Sequence, residues 1–526
     1  MTVAIDDGHL GLHMAARSVL ERCPEPANAL EVAIVLETCG YTESRARLLG
    51  AGSLLDLGEA VLALLPIYAI RHPDAETGGA LDDRSCPRPW VAFARGLLSS
   101  APWLVGMATT LVAGASFWTS AVAIQSIAVS VSLATTIGLI VVAPFIQAFG
   151  RRASFYRGLG DQGMVVRIHR WTLEVGLVAT VVVAGGVYLV RQDILGVGTP
   201  ASNRLGLAAA LAIGGLQVGL ASFYLRRAFL AMAAIVVGGS VVLVWHTLHA
   251  GAYLDPVHLA VWQIRLVAVM AAVAWVMSAW WLLHVDDRQH GPIWRPAGAA
   301  LLRAVAPYAA YGLAFFCVVC LPQVVSGGAW QGRFEFNSSF ALADGVALLV
   351  LVPMLAQTMA VVESVNTRTF PEALARYRTG EVPAFCREMQ RMWRRQLLLV
   401  ALLGVATCAV IDLLGPALGS GSGPLGALSA NEGLLVVATA ATLMFGLGAF
   451  ASQVLVALSA PGPAVRAAWL SVAVLVTASG ITSLGSSPSD SAAWSLVAAC
   501  AVLAFVAVRA ADRAFRHADL TYYRTM

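Results

Sequence analysis

Ala260–His284 reads AVWQIRLVAVMAAVAWVMSAWWLLH and runs directly into VDDRQHGPIWRP at residues 285–296. The first stretch carries one charge, Arg265, and is long enough to cross a hydrocarbon core about 30 Å thick as a helix. Only a helix satisfies its own backbone there. Runs of the same kind lie before it, near 99–118, 122–147, 171–190, 205–225 and 228–245. They resume after the polar break, near 303–322, 340–362, 396–416, 433–458, 465–484 and 491–508. His284–Pro296 therefore divides twelve spans into six plus six. The expected fold is an all-α integral membrane protein with about twelve transmembrane helices in two six-helix lobes, a plan shared by many transporters.

Composition agrees. Of 526 residues, 58% are hydrophobic and 12% charged, about half the charged fraction of a soluble domain. All 34 basic residues are arginine, and the net charge of +4 is too small to argue for a nucleic-acid partner. Loops after even-numbered spans, with the C-terminal tail, hold 22 arginines, against three (Arg191, Arg204, Arg333) in the other loops. The positive-inside rule then places both termini in the cytoplasm of a multi-pass inner-membrane protein. The chain parses as a cytosolic helical segment and linker (1–95), a first lobe (96–284), a cytoplasmic linker (285–302), a second lobe (303–510) and a tail (511–526). The acidic N-terminus, with Asp6 and Asp7, lacks a signal-peptide opening.

Motif by motif, soluble-site chemistry is thin. GLGDQG (158–163) and GSGPLG (421–426) match a phosphate-cradling glycine pattern but lack its strand-turn-helix setting. Cys317 and Cys320 form C-x-x-C inside an apolar span, where they read as core. His246 and His249, with Asp255 and His258, have metal-like spacing but read better as headgroup-level residues. Asn337-Ser338-Ser339 is a glycosylation sequon. No catalytic residue, metal site or cofactor is expected.

Ionisable groups within spans are costly in hydrocarbon and face a cavity or a partner. Asp344 and Arg265 are the deepest, while Glu363 and Glu174 lie near span ends. With Gln125 and Gln217 they form the expected substrate or ion path. Gly215 and Gly219 read as a close-packing pair, and Pro144 and Pro353 as sites of bending.

Three stretches resemble the Pel exopolysaccharide transporter (PelG-like) family, a branch of the flippase superfamily that includes multidrug and lipid-linked oligosaccharide exporters. Ser99-Ser100-Ala101-Pro102-Trp103-Leu104 is similar to its S-S-G-P-W-L opening. Ser338 through Pro353 to Glu363, then Phe370 and Ala373–Tyr377, resembles its apolar helix, acidic residue and amphipathic stretch. Asp519-Leu520-Thr521-Tyr522-Tyr523 is close to its C-terminal motif. Ala101 and Val362 replace the family's glycine and arginine. The resemblance implies an alternating-access exporter of a polysaccharide or saccharide-bearing precursor, assembled with a cytosolic glycosyltransferase and other glycan-synthesis subunits. Arg387, Arg391, Arg394 and Arg395, in the basic stretch after span eight, are then the expected docking residues, or else a juxtamembrane helix on anionic lipid. Export of small cationic molecules or drugs, and a non-transporting scaffold role, are the rival readings.

Overall fold

The computed structural model describes residues 7–22, 26, 29–71, 89–113, 125–158, 162–189, 200–250, 256–284, 298–331, 335–365, 382–418, 432–458 and 460–517. Among the described residues the regular structure is entirely helical. Helices α1 (Asp7–Arg22), α2 (Ala29–Thr38), α3 (Glu43–Leu48) and α4 (Leu54–Arg71) close on a core of their own, built from Val19, Leu36, Tyr41, Leu57 and Val61.

The first lobe comprises α5 (Pro89–Ser99), α6 (Ala101–Ala113), α7 (Gln125–Gly158), α8 (Gln162–Leu189), α9 (Pro200–Arg226), α10 (Phe229–Ala250) and α11 (Pro256–His284). The second comprises α12 (Gly298–Ser326), α13 (Ser338–Ala347), α14 (Leu351–Ser364), α15 (Val382–Leu418), α16 (Glu432–Ala457), α17 (Pro461–Thr482) and α18 (Pro488–Arg516). Eleven segments are individually long and apolar enough to cross a membrane, and the bent pair α5–α6 makes a twelfth. Large apolar side chains such as Val276, Trp280, Leu402 and Phe505 are exposed around the bundle, as a lipid-facing surface requires. This is a multi-pass membrane protein.

Span one starts at Trp90 rather than near 99 and turns through 53° between α5 and α6. Pro102 has no N–H to return to the preceding turn and its ring clashes with it. At the break, Gly96 O accepts from the Ser100 N–H and from both the Ser99 and Ser100 hydroxyls. Span eight is interrupted too, since a 3-10 turn at Leu348–Val350 separates α13 from α14 just before Pro353. Pro144, by contrast, stays inside a continuous α7.

Close approach inside the first lobe follows the small residues. A Cβ on Gly219 would lie 2.8 Å from the Ala274 Cβ of α11, and the Trp275 indole donates to Gly215 O at 2.9 Å. In the second lobe the fully buried Trp393 of α15 stacks between Phe450 of α16 and Phe515 of α18. α15 has 37 residues, roughly 55 Å at 1.5 Å per residue. The basic stretch expected as a separate amphipathic helix is therefore, from Val382 on, an extension of span nine.

Candidate functional site

The lobes meet along a seam at their arginine-rich end. α5 packs on α14, and α7 on α12. Both contacts are backbone-close and depend on glycine. A Cβ on Gly96 would lie 2.5 Å from Ala356 Cα, and one on Gly312 would lie 2.7 Å from Ala143 O. Polar contacts lock the same end: the Arg151 guanidinium donates to Ala457 O at 3.0 Å, across from α7 to the end of α16.

The centre of the seam is Glu363, at the end of α14. Its Oε1 accepts from Arg227 Nη1 at 3.0 Å and from Arg95 Nη1 at 3.3 Å. Both arginines belong to the first lobe. Arg227 follows α9 in a helix-terminating turn: its N–H bonds Tyr224 O, the Ala228 N–H bonds Phe223 O, and its φ is +59°. That left-handed position usually belongs to glycine, because a side chain there costs about 1 kcal/mol. Among the described residues Arg227 is the only non-glycine with positive φ, and its side chain goes to Glu363. Tyr224, one turn earlier, points its hydroxyl at Met359 Sδ of α14 at 3.3 Å.

Other expected path residues are dispersed. Asp344 is buried in α13 and accepts from Gln323 Nε2 of α12 at 2.9 Å, within the second lobe. Arg265 lies on the exposed stripe of α11 with Val269, Val276 and Trp280. Glu174 lies on the equivalent stripe of α8 with Val178 and Val181. Those two face outward and are not brought to Asp344 or Glu363; a long arginine on such a face reaches the headgroups instead. Gln217 is half-buried in α9, and the side chain of Gln125 lies outside the described residues.

Arg387, Arg391, Arg394 and Arg395 are all exposed on α15, with Arg394 Nε 4.0 Å from Asp512 Oδ1 of α18. His246 stacks on Trp262 and His249 on Trp245, so these histidines are ring-packed. Among the described residues no group of three His, Cys, Asp or Glu side chains has a metal-binding arrangement. Asn337 caps α13 by accepting from the Phe340 N–H at 3.0 Å. The GSGPLG stretch, Phe370, Ala373–Tyr377 and the C-terminal Asp519–Tyr523 lie outside the described residues, as do 159–161 of GLGDQG and 285–296 of the polar break.

No family model and no curated protein matches the chain. Solved structures do. The chain has the two-lobe, twelve-helix fold of the MATE transporters. It is similar to "Crystal structure of MATE in the bent conformation" at a TM-score of 0.56 and 14% identity, covering 83% of this chain and 97% of that one. It is also similar to the outward-facing conformation of a multidrug resistance MATE family transporter of the MOP superfamily (TM-score 0.52, 14% identity, 81% and 96% covered). The inward-facing conformation of such a transporter matches at 0.52 and 14%, covering 82% and 96%.

Proposed function

We propose that the chain is an alternating-access exporter whose arginine-rich end faces the cytoplasm, in a state closed at that end. The carrying observation is the seam: one carboxylate of the second lobe, Glu363, holds two arginines of the first. Such a contact has a function if the lobes part, and solved proteins of this fold have both inward- and outward-facing forms.

The cargo is a neutral, hydroxyl-rich saccharide or a saccharide-bearing precursor. A cationic cargo wants carboxylates along the first lobe's inner face. Among the described first-lobe residues the only carboxylate is Glu174, on the outer stripe. The resemblance of Ser99–Leu104 and of the span ending at Glu363 to exopolysaccharide transporters supports the same choice. Asp344, carried within the second lobe, is the coupling carboxylate. The arginines of α15 are the docking face for a cytosolic glycosyltransferase.

Cationic-drug export is the second reading, favoured by the multidrug resistance transporters among the structural neighbours. Uptake by inverted vesicles decides between them. The saccharide reading expects a labelled oligosaccharide to accumulate and a cationic dye not to, with accumulation lost in Asp344→Asn. Dye uptake without oligosaccharide uptake transfers the function to the second reading.

A further inference from the structure

Three helices of the first lobe meet beside the seam and enclose a cluster of one arginine, one histidine and one indole that the transport reading does not use. His169 of α8 is fully buried, and neither ring nitrogen has a hydrogen-bond partner. Its ring lies 5.1 Å, centroid to centroid, from the Trp281 indole of α11. On the same indole sits Arg226, the last residue of α9, with Cζ 4.4 Å from the ring centroid and 5.3 Å from that of Phe223. Its Nη1 is buried and also lacks an acceptor.

An imidazole always offers at least one N–H, and a guanidinium five. Leaving such a donor buried and unmade costs about 1–3 kcal/mol, and more for a charged group. Two of them against one indole is an unfavourable arrangement unless something supplies acceptors. Among the described residues no group supplies an acceptor to either His169 nitrogen or to Arg226 Nη1. The aromatic faces of Trp281 and Phe223 hold the guanidinium in place without occupying its N–H groups. What is missing is an oxygen-rich anion.

Depth selects the anion. Arg226 ends its span, Trp281 is three residues from the end of α11, and His169 is six residues into a span that opens at Gly163. Six residues of helix are roughly 9 Å. The cluster thus lies at the headgroup level of the arginine-rich leaflet, where the abundant anion is phosphate and basic pockets between helices bind lipid headgroups.

We propose that His169, Arg226 and Trp281 form a phosphate-binding site between α8, α9 and α11. Arg226, only partly buried, is its lid, swinging out to admit the phosphate and closing over it. The phosphate belongs either to a phospholipid headgroup or to free inorganic phosphate. The proposal stands whether or not the chain exports saccharide.

The full-length protein, purified in detergent and stripped of lipid, is titrated in one arm with phosphatidylglycerol and read by native mass spectrometry. In the other it is titrated with inorganic phosphate and read by thermal shift. His169→Phe keeps a ring against Trp281 without nitrogens, and Arg226→Gln removes the charge; elution volume checks their folding. One tightly retained equivalent in the wild type, weakened at least tenfold in both variants, is the expected result, and the responding arm identifies the source. If neither probe binds the wild type, or if either folded variant binds as the wild type does, the site is refuted. The wild-type titrations decide alone should a variant not fold.

Discussion

Replacing Glu363 by Gln removes one charge and leaves the shape of the seam unchanged. Glu363 is 13% exposed, but its partners Arg95 and Arg227 are 44% and 49% exposed. Solvent therefore screens each pair, and exposed pairs contribute about 0.2–1 kcal/mol. Two pairs on one oxygen give about 0.4–2 kcal/mol between the closed seam and the open one. That is a roughly two- to thirtyfold change in their ratio, directed towards the state open at the arginine-rich end. Nitroxide labels at the exposed positions 170 and 509 report the separation of the lobes by pulsed dipolar spectroscopy in proteoliposomes. Glu363→Gln should populate a longer distance at the expense of the wild-type one. Salt should act in the same direction on the wild type and have little effect on the variant, because the screening length falls from about 10 Å at 0.1 M to about 3 Å at 1 M. Adding Arg227→Gln to Glu363→Gln should change little further. Distance distributions that superimpose for wild type and Glu363→Gln would refute the latch. Fully additive effects of the two substitutions would refute the pairing.

Arg227→Gly separates backbone from side chain: relief of the left-handed arginine should add up to about 1 kcal/mol of stability, read as a raised melting temperature, while the label distance lengthens as in Glu363→Gln. If the seam stays closed in that variant, Arg227 only terminates α9. Gly312→Ala puts a methyl 2.7 Å from Ala143 O and should push the seam apart at a cost of about 1–3 kcal/mol; Gly185→Ala, with nothing within 4 Å, should leave the same distance distribution unchanged. Trp393→Ala empties the stack between Phe450 and Phe515 and should cost about 3–5 kcal/mol in thermal or denaturant melts, with no selective effect on the seam ratio.

The spans were legible because repeated apolar runs of some twenty residues have one stable solution in a bilayer. Two helices were less so, both because arginine interrupts the hydropathy that marks a span. Arg95 sits mid-way along α5, which hid the first ten residues of span one. Arg387, Arg391, Arg394 and Arg395 made the start of α15 resemble a loop helix, although Met389 and Trp393 between them are buried and continue the packing stripe of span nine. The latch was half legible. Glu363 stands out as a carboxylate at a span end, but its partners lie 268 and 136 residues away. Arg227 had counted only as one of the arginines that orient the chain. The missing signal is one of conformation: α9 terminates without a glycine, and a sequence does not display the φ that makes this costly. The unsatisfied nitrogens of His169 likewise depend on three helices meeting.

Depth along a span proved a poor guide to which ionisable residue is committed to the interior; the face it occupies is the better one. Arg265 and Asp344 both lie well inside apolar helices, and by sequence position they are equivalent candidates. Arg265 occupies the stripe of α11 that carries Val269, Val276 and Trp280 outward, where a flexible side chain keeps its charge by reaching the interface. Asp344 is short, cannot snorkel, and is enclosed by its own lobe with one amide donor, Gln323 Nε2, on Oδ2. A carboxylate so placed has lost its water and has one hydrogen bond in return, which is an expensive position to maintain for packing alone. A second occupant of the site, a proton or a metal cation, would lower that cost. Asp344→Asn keeps the shape and the Gln323 contact while removing the charge. It should therefore be at least as stable in a melt as the wild type, and defective only in transport. Loss of stability and transport together would return Asp344 to the core.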